Sequence, residues 1–199
     1  MKNNYILQAW LVLLLAVFYG GSLAGVQLSL SPKINENKIN ETRQRVPALV
    51  LGKDRANEPV EIESENIAVE KNGRKVFYNV FKAVQDGKQA GWVIKTSGQG
   101  YGDKIELLLG VSPDMSIITG LFVLDQKETP GLGNRIADPA WRQQFVHKKT
   151  DKKLVVVKTG AKAPNEIDAI TGATISSRSV CAIVNNTLSD LKPKLAGVN

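Results

Sequence analysis

The sequence predicts an α+β fold: a mainly antiparallel sheet with flanking helices, preceded by one transmembrane helix. Three observations carry this expectation. No charged side chain occurs from Asn3 to Pro32, and a helix of about 20 apolar residues crosses the hydrocarbon core of a bilayer. From Val76 onward, short β-branched runs alternate with turn residues at hairpin spacing. The final segment switches to helical spacing of its apolar residues. Hairpin-linked strands combined with helices are the pattern of an α+β domain.

The N-terminal run "YILQAWLVLLLAVFYGGSLAGVQLSL" is mostly apolar, and Tyr5, Trp10 and Tyr19 suit a membrane interface. An uncleaved anchor is the expected reading. A cleavable signal peptide competes with it, because "SLAGV" at Ser22–Val26 offers a small-x-small site ending at Ala24. Either reading exports the rest of the chain. Lys2 precedes the span, whereas Lys33, Lys38, Arg43 and Arg45 follow it. Charge bias therefore does not settle the orientation, since long domains translocate regardless of it.

Three regions are expected: an anchor at 1–30, a loosely packed stalk at 31–75 and a folded domain at 76–199. In the stalk, Ile34, Lys38, Ile39 and Thr42 match one short exposed helix ending before Pro47, and "EIESEN" reads as a surface connection. In the domain, "VFYNVFKA" and "QAGWVIKTS" form a hairpin about the turn "QDGK". The segments "KIELLLGV", "SIITGLFVLDQ" and "KLVVVK" are further strands, with "SPDM" a turn. "DPAWRQQF" predicts a short helix with Asp138 as cap and Pro139 at its first position. Val180, Ile183, Val184, Thr187, Leu188 and Leu191 fall on one face of a terminal helix stopped by Pro193.

Composition narrows the function. The 199 residues carry a net charge of +7, but the basic residues are scattered among acids and aromatics make up only 6%. Nucleic-acid binding needs a denser basic face or stacking surface, so it is not expected. One cysteine, Cys181, and one histidine, His147, leave no ligand set for zinc or iron–sulfur clusters. No metal site is expected, and redox chemistry here needs a borrowed cofactor. Cys181, spaced with Val184 and Leu188, reads as a small core residue.

Three glycine-bearing segments are candidates for a ligand site. "SGQGYGDK", Ser97 to Lys104, contains Gly100 and Tyr101; it precedes a strand, so it is not a dinucleotide fingerprint. A flexible hairpin turn explains it equally well. In "KETPGLGNRI", Glu128, Thr129, Gly131, Leu132 and Gly133 come as a block after a strand. Backbone N–H groups, a threonine and a leucine suit one wall of a planar ligand's site; an ordinary turn remains the alternative. In "DAITGATISSRSV", Thr174 falls just before a helix expected to begin near Ser176 or Ser177. A helix N-terminus attracts phosphate. Serine capping explains Ser176 or Ser177 without a ligand, but not Asp168, Thr171, Gly172 and Ala173 ahead of them. Arg178 suits either phosphate or solvent.

"DAITGAT" resembles the flavinylation motif of the FMN-binding domains of membrane redox complexes, and "ETPGLG" and the "GYG" loop match that family in the same order. The resemblance covers most of the chain. The layout is most similar to G-type subunits of Rnf complexes, with C-type subunits of sodium-translocating NADH:quinone reductases as near relatives. It implies FMN joined covalently through its phosphate to Thr174 by a flavin transferase. It further implies a flavoprotein subunit of an inner-membrane complex, with its C-terminal domain on the outer, periplasmic side. Such a subunit works with other membrane subunits, coupling electron transfer between ferredoxin and NAD to ion transport. Asp168, Thr171, Gly172 and Ala173 are then the context of attachment, and Glu128, Thr129, Gly131, Leu132, Gly133, Gly100 and Tyr101 the flavin's surroundings. The sequence departs from the family in carrying "DQK" before "ETPGLG" and "GYGD" in the loop. An unaided threonine hydroxyl is a weak nucleophile, so attachment needs an enzyme. A free-standing exported flavin reductase and a non-catalytic phosphate- or partner-binding module are the other functions considered.

Overall fold

A computed structural model of the chain describes residues 5–71 and 73–196, without the side chains of 5–8, 35 and 74. Lys2 and the Tyr5 side chain therefore lie outside it. The chain divides into two compact units, Met1–Glu41 and Thr42–Asn199. The described residues of the first belong to helix α1 (Tyr5–Leu51). This is the one helix among the described residues long and apolar enough to cross a membrane. Trp10, Leu11, Leu13, Phe18, Tyr19 and Leu23 all expose their side chains along it.

The second unit is built on a five-stranded antiparallel meander in sequence order. Its strands are β1 (Glu61–Lys71), β2 (Arg74–Gln85), β3 (Lys88–Gln99), β4 (Lys104–Val111) and β5 (Ile118–Asp125). The β2–β3 turn follows from Asp86-Gly87: both residues have positive φ, at 51° and 73°, as a two-residue hairpin requires. A short helix, α2 (Pro139–Arg142), carries Asp138 and Pro139 at the expected N-cap and first positions. Asp138 does not cap it with its side chain; it meets Arg135 Nε at 3.3 Å. Strands β6 (Val155–Val157) and β7 (Glu166–Asp168) form a separate parallel pair. The chain closes with α3 (Thr174–Leu195).

Both faces of the sheet are covered, which explains the continuous apolar run in β4. Ile105, Leu107 and Leu109 join the main core with Ile94, Trp92 and Val80, against Val180, Ile183, Val184, Leu188 and Leu191 of α3. Leu108 points the other way, into a second cluster with Val93 and Ala83 that receives Val46, Leu49 and Val50 from the end of α1. Period-two alternation thus buries both sets. The six α3 positions expected on one face are all buried.

The stalk differs from expectation. The helix does not stop before Pro47 but runs on to Leu51. A proline inside a helix loses a hydrogen bond, and here burial of Val46, Leu49 and Val50 outweighs that loss. Thr42, expected on an exposed face, is buried. The region read as a surface connection is the edge strand β1, paired with β2 from Glu61↔Val84 to Lys71↔Arg74. Its inward positions still alternate: Ile62 packs on the second cluster, Ile67 and Val69 on the first. Charged residues between them disguise the strand, and they are what an edge strand carries to resist further pairing. The sheet-bearing unit thus begins well before Val76. At the other end, α3 passes Pro193 because Leu195 is buried in the core.

Candidate cofactor site

The three glycine-bearing segments, far apart in sequence, meet around one carboxylate. Glu128 follows β5 and is 4% exposed. Its Oε1 accepts a hydrogen bond from Gly102 N at 3.0 Å, in the β3–β4 loop. Its Oε2 accepts one from the Ser176 hydroxyl, in the first turn of α3. Its own N–H donates to Gln126 Oε1 at 2.7 Å. Gly133 and Gly100 wall it in: a β-carbon on Gly133 would stand 2.9 Å from Oε2, and one on Gly100 would overlap Oε1. The glycines at these two positions are therefore explained by close approach. Gly102, the second glycine of the "GYG" loop, is thus a direct partner of the carboxylate.

The "ETPGLG" block makes a tight turn. Leu132 N donates to Thr129 O at 3.2 Å, with Gly131 at φ 75°, the signature of a type II turn with proline second and glycine third. The stretch before α3 repeats this geometry. Ala173 N donates to Ile170 O at 2.9 Å across Thr171 and Gly172, whose φ is 80°. Thr171 and Gly172 are exposed on this turn, and Leu132 packs over Gly172. Tyr101, Ile175 and Leu132 expose 64%, 54% and 44% of their surface, each on one of the segments joined through Glu128.

Helix α3 begins at Thr174, not at Ser176 or Ser177. Ala173 occupies the N-cap position at φ −134° and ψ 40°, with no side-chain capping bond. The two serines have other partners. Ser176 is held by Glu128, while Ser177 Oγ donates to Ala173 O at 3.0 Å and accepts from Ile170 N at 3.1 Å. The first-turn N–H groups, with the positive end of the helix dipole, are thus left without a capping side chain beside a half-buried Thr174.

Asp168 ends β7, and its contacts lie elsewhere. Oδ1 accepts from Ala161 N at 2.8 Å, its N–H donates to Gln144 Oε1 at 2.8 Å, and its carbonyl accepts from Trp141 Nε1 at 2.8 Å. It braces the approach to the Ile170–Ala173 turn. Trp141 and Gln144 therefore support the motif from α2 and the turn after it, a role invisible in their local sequence. His147 is exposed at φ 65°, before an isolated bridge between Ile117 and Lys149. Cys181 is buried in the main core, and burial pushes its thiol up to about 12. No cluster of three potential metal ligands occurs among the described residues. A cavity of about 750 Å³ lies between the end of α1, β5 and α2, lined by Arg45, Leu49, Phe122 and Arg142; it contains none of the motif residues.

Residues 100–189 match the FMN-binding domain family. The chain is 34% identical to the G-type subunit of the proton-translocating ferredoxin:NAD(+) oxidoreductase complex of Clostridium ljungdahlii, over 79% of this chain and 76% of that one. It is 31% identical to the G-type subunit of the ion-translocating oxidoreductase complex of Methanosarcina acetivorans, over 85% and 86%.

The chain belongs to the FMN-binding domain family.

Other relatives of this FMN-binding domain chain are matched over less of their length. The G-type subunit of the sodium-translocating ferredoxin:NAD(+) oxidoreductase complex of Acetobacterium woodii is 40% identical, over 55% of this chain and 53% of its own. Among solved structures, the C-type subunit of the sodium-translocating NADH-quinone reductase from Parabacteroides distasonis superposes with a TM-score of 0.66 at 27% identity, over 85% of this chain and 98% of that one. The matched span of the family begins at Gly100 and includes all three parts of the Glu128 site.

Proposed function

We propose that this chain is an electron-transfer flavoprotein subunit of an Rnf-type membrane complex, carrying FMN joined through its phosphate to Thr174. The observation that carries this reading is the uncapped start of α3 at Thr174, next to the Gly172 turn and Leu132. The first-turn N–H groups and the helix dipole suit a phosphate on the Thr174 hydroxyl. Gly172 keeps the turn free of a β-carbon, and Leu132 packs over it. The exposed Tyr101, Leu132 and Ile175 offer apolar surface to a planar ring. When bound, the flavin would supply the redox chemistry; the chain's residues bind it, orient it and set its electrostatics. A covalent tether suits a domain exported from the compartment where flavin is made.

The N-terminal helix acts as an uncleaved anchor, and the folded unit lies on the outer, periplasmic face of the inner membrane. Its partners are the other subunits of the complex and, during maturation, a flavin transferase. The complex couples electron transfer between ferredoxin and NAD to ion translocation. The G-type relatives of Clostridium ljungdahlii and Methanosarcina acetivorans, matched over 76% and 86% of their length, support this assignment over a C-type one. The match to the C-type subunit of the sodium-translocating NADH-quinone reductase of Neisseria meningitidis, at 31% identity, covers 54% of that protein.

Denaturing electrophoresis under ultraviolet light tests the attachment. The full chain co-expressed with a flavin transferase is expected to give a fluorescent band, and Thr174→Val to give none. A dark wild-type band, or a bright Thr174→Val band, overturns the reading.

A further inference from the structure

We infer that Glu128 is a positioning residue for Thr174 rather than a flavin ligand. The inference rests on the proposed attachment site and assigns a different task to the carboxylate beside it. Both Glu128 oxygens are engaged within the protein, one by Gly102 N at 3.0 Å and the other by the Ser176 hydroxyl. Gly100 and Gly133 approach it so closely that a β-carbon on either would crowd a carboxylate oxygen. The residue is 4% exposed.

What Glu128 does is join three segments. The β3–β4 loop hangs on Oε1. The first turn of α3 hangs on Oε2 through Ser176, two residues after Thr174. Glu128 itself begins the block that carries Leu132 over Gly172. The bridge therefore fixes the first turn of α3 against the loop carrying Tyr101, and so fixes where the Thr174 hydroxyl is presented. In the attachment reaction the Thr174 Oγ–P bond forms as a P–O bond of a flavin-bearing pyrophosphate breaks. A nucleoside monophosphate leaves, and the hydroxyl proton passes to the transferase. Glu128 takes no proton in this scheme; it holds the acceptor still.

The test uses the full-length chain, purified without flavin in detergent. It is incubated with flavin transferase, flavin adenine dinucleotide and magnesium, and the initial rate of fluorescent labelling is read from gels. Hydrogen exchange of the unlabelled chain is measured in parallel. Glu128→Ala is expected to slow labelling about tenfold, the scale of one lost buried hydrogen bond. It is also expected to accelerate exchange at residues 100–104 and 174–178 while β4 stays protected. Glu128→Gln keeps an acceptor for Gly102 and a partner for Ser176, and is expected to label within about threefold of wild type. Ser176→Ala, which leaves the carboxylate in place, is expected to slow labelling as Glu128→Ala does, and it decides the matter if Glu128→Ala does not fold. Wild-type labelling rates in both alanine variants overturn the inference. So does a Glu128→Gln as slow as Glu128→Ala, since that would make the charge, not the bridge, the active feature. If the wild-type chain itself stays dark, the attachment reading fails; the exchange measurement still decides whether Glu128 orders the two segments.

Discussion

Leu132 packs directly over Gly172, so that a β-carbon on Gly172 would stand 2.9 Å from Leu132 Cδ2. This contact joins the Thr129–Leu132 turn to the Ile170–Ala173 turn, and Gly172 also holds φ at 80°. Gly172→Ala is therefore expected to destabilise the folded unit by about 1–2 kcal/mol from the left-handed backbone alone. Urea denaturation of the detergent-solubilised chain would measure this. Flavin labelling is expected to fall as well, because the new methyl group displaces Leu132.

The end of α1 is seated on glycines. A β-carbon on Gly120 would stand 2.8 Å from Leu49 Cδ2 and 2.9 Å from Leu49 O, and Thr119 Oγ1 donates to that carbonyl at 2.6 Å. Leu49 O is among the last carbonyls of the helix, which have no helical partner. Gly120→Ala is expected to cost about 1–3 kcal/mol by overpacking. Thr119→Val is expected to cost about 1 kcal/mol through the lost hydrogen bond. Denaturation midpoints of the two variants would check both figures and their order.

Cys181 should take no part in redox chemistry. Its burial raises the thiol to about 12, so almost no thiolate exists near neutral pH. Maleimide modification of the native chain is expected to be slow and to speed up only when the fold opens. Cys181→Ala is expected to leave flavin labelling at the wild-type level, and a loss of labelling in a folded Cys181→Ala chain would contradict this.

The β4–β5 turn carries a pH-dependent contribution. The Ser112 hydroxyl donates to Asp114 Oδ1, and so do the Ser116 hydroxyl and N–H. Led by the Ser112 bond, these hold the Asp114 carboxyl down to about 2. A depressed carboxyl stabilises the fold above its unfolded value and loses that contribution as pH falls through the folded one. The stability gap between wild type and Asp114→Asn should therefore be constant above about pH 4 and close toward pH 2. Denaturation at a series of pH values would follow it.

Much of this was legible in the local sequence because local physics decides it. Asp86-Gly87 specifies its hairpin turn, and the alternation in "VFYNVFKA" and the run "KIELLLGV" specify strands that both form as read. The apolar spacing of α3 named its buried face correctly. Strand β1 was obscured because an edge strand is meant to look polar, and only its pairing with β2 distinguishes it from a loop. The passage of α1 through Pro47 was likewise hidden, since the burial that compensates for the proline comes from the sheet.

By itself the sequence determined the elements with a strong period or an obligatory turn residue, the long uncharged span, and the three motifs that mark the family. Those depend on side chains and backbone within a few residues of one another. Only the tertiary structure decided what the motifs do together. It moved the start of α3 to Thr174, took Ser176 and Ser177 away from capping, and gave Glu128 partners in Gly102 and Ser176. Those outcomes depend on which buried polar groups find each other across the fold, Ser176 and Glu128 above all. A buried hydroxyl or carboxylate takes whatever partner packing brings within reach, and that partner is set by the whole chain.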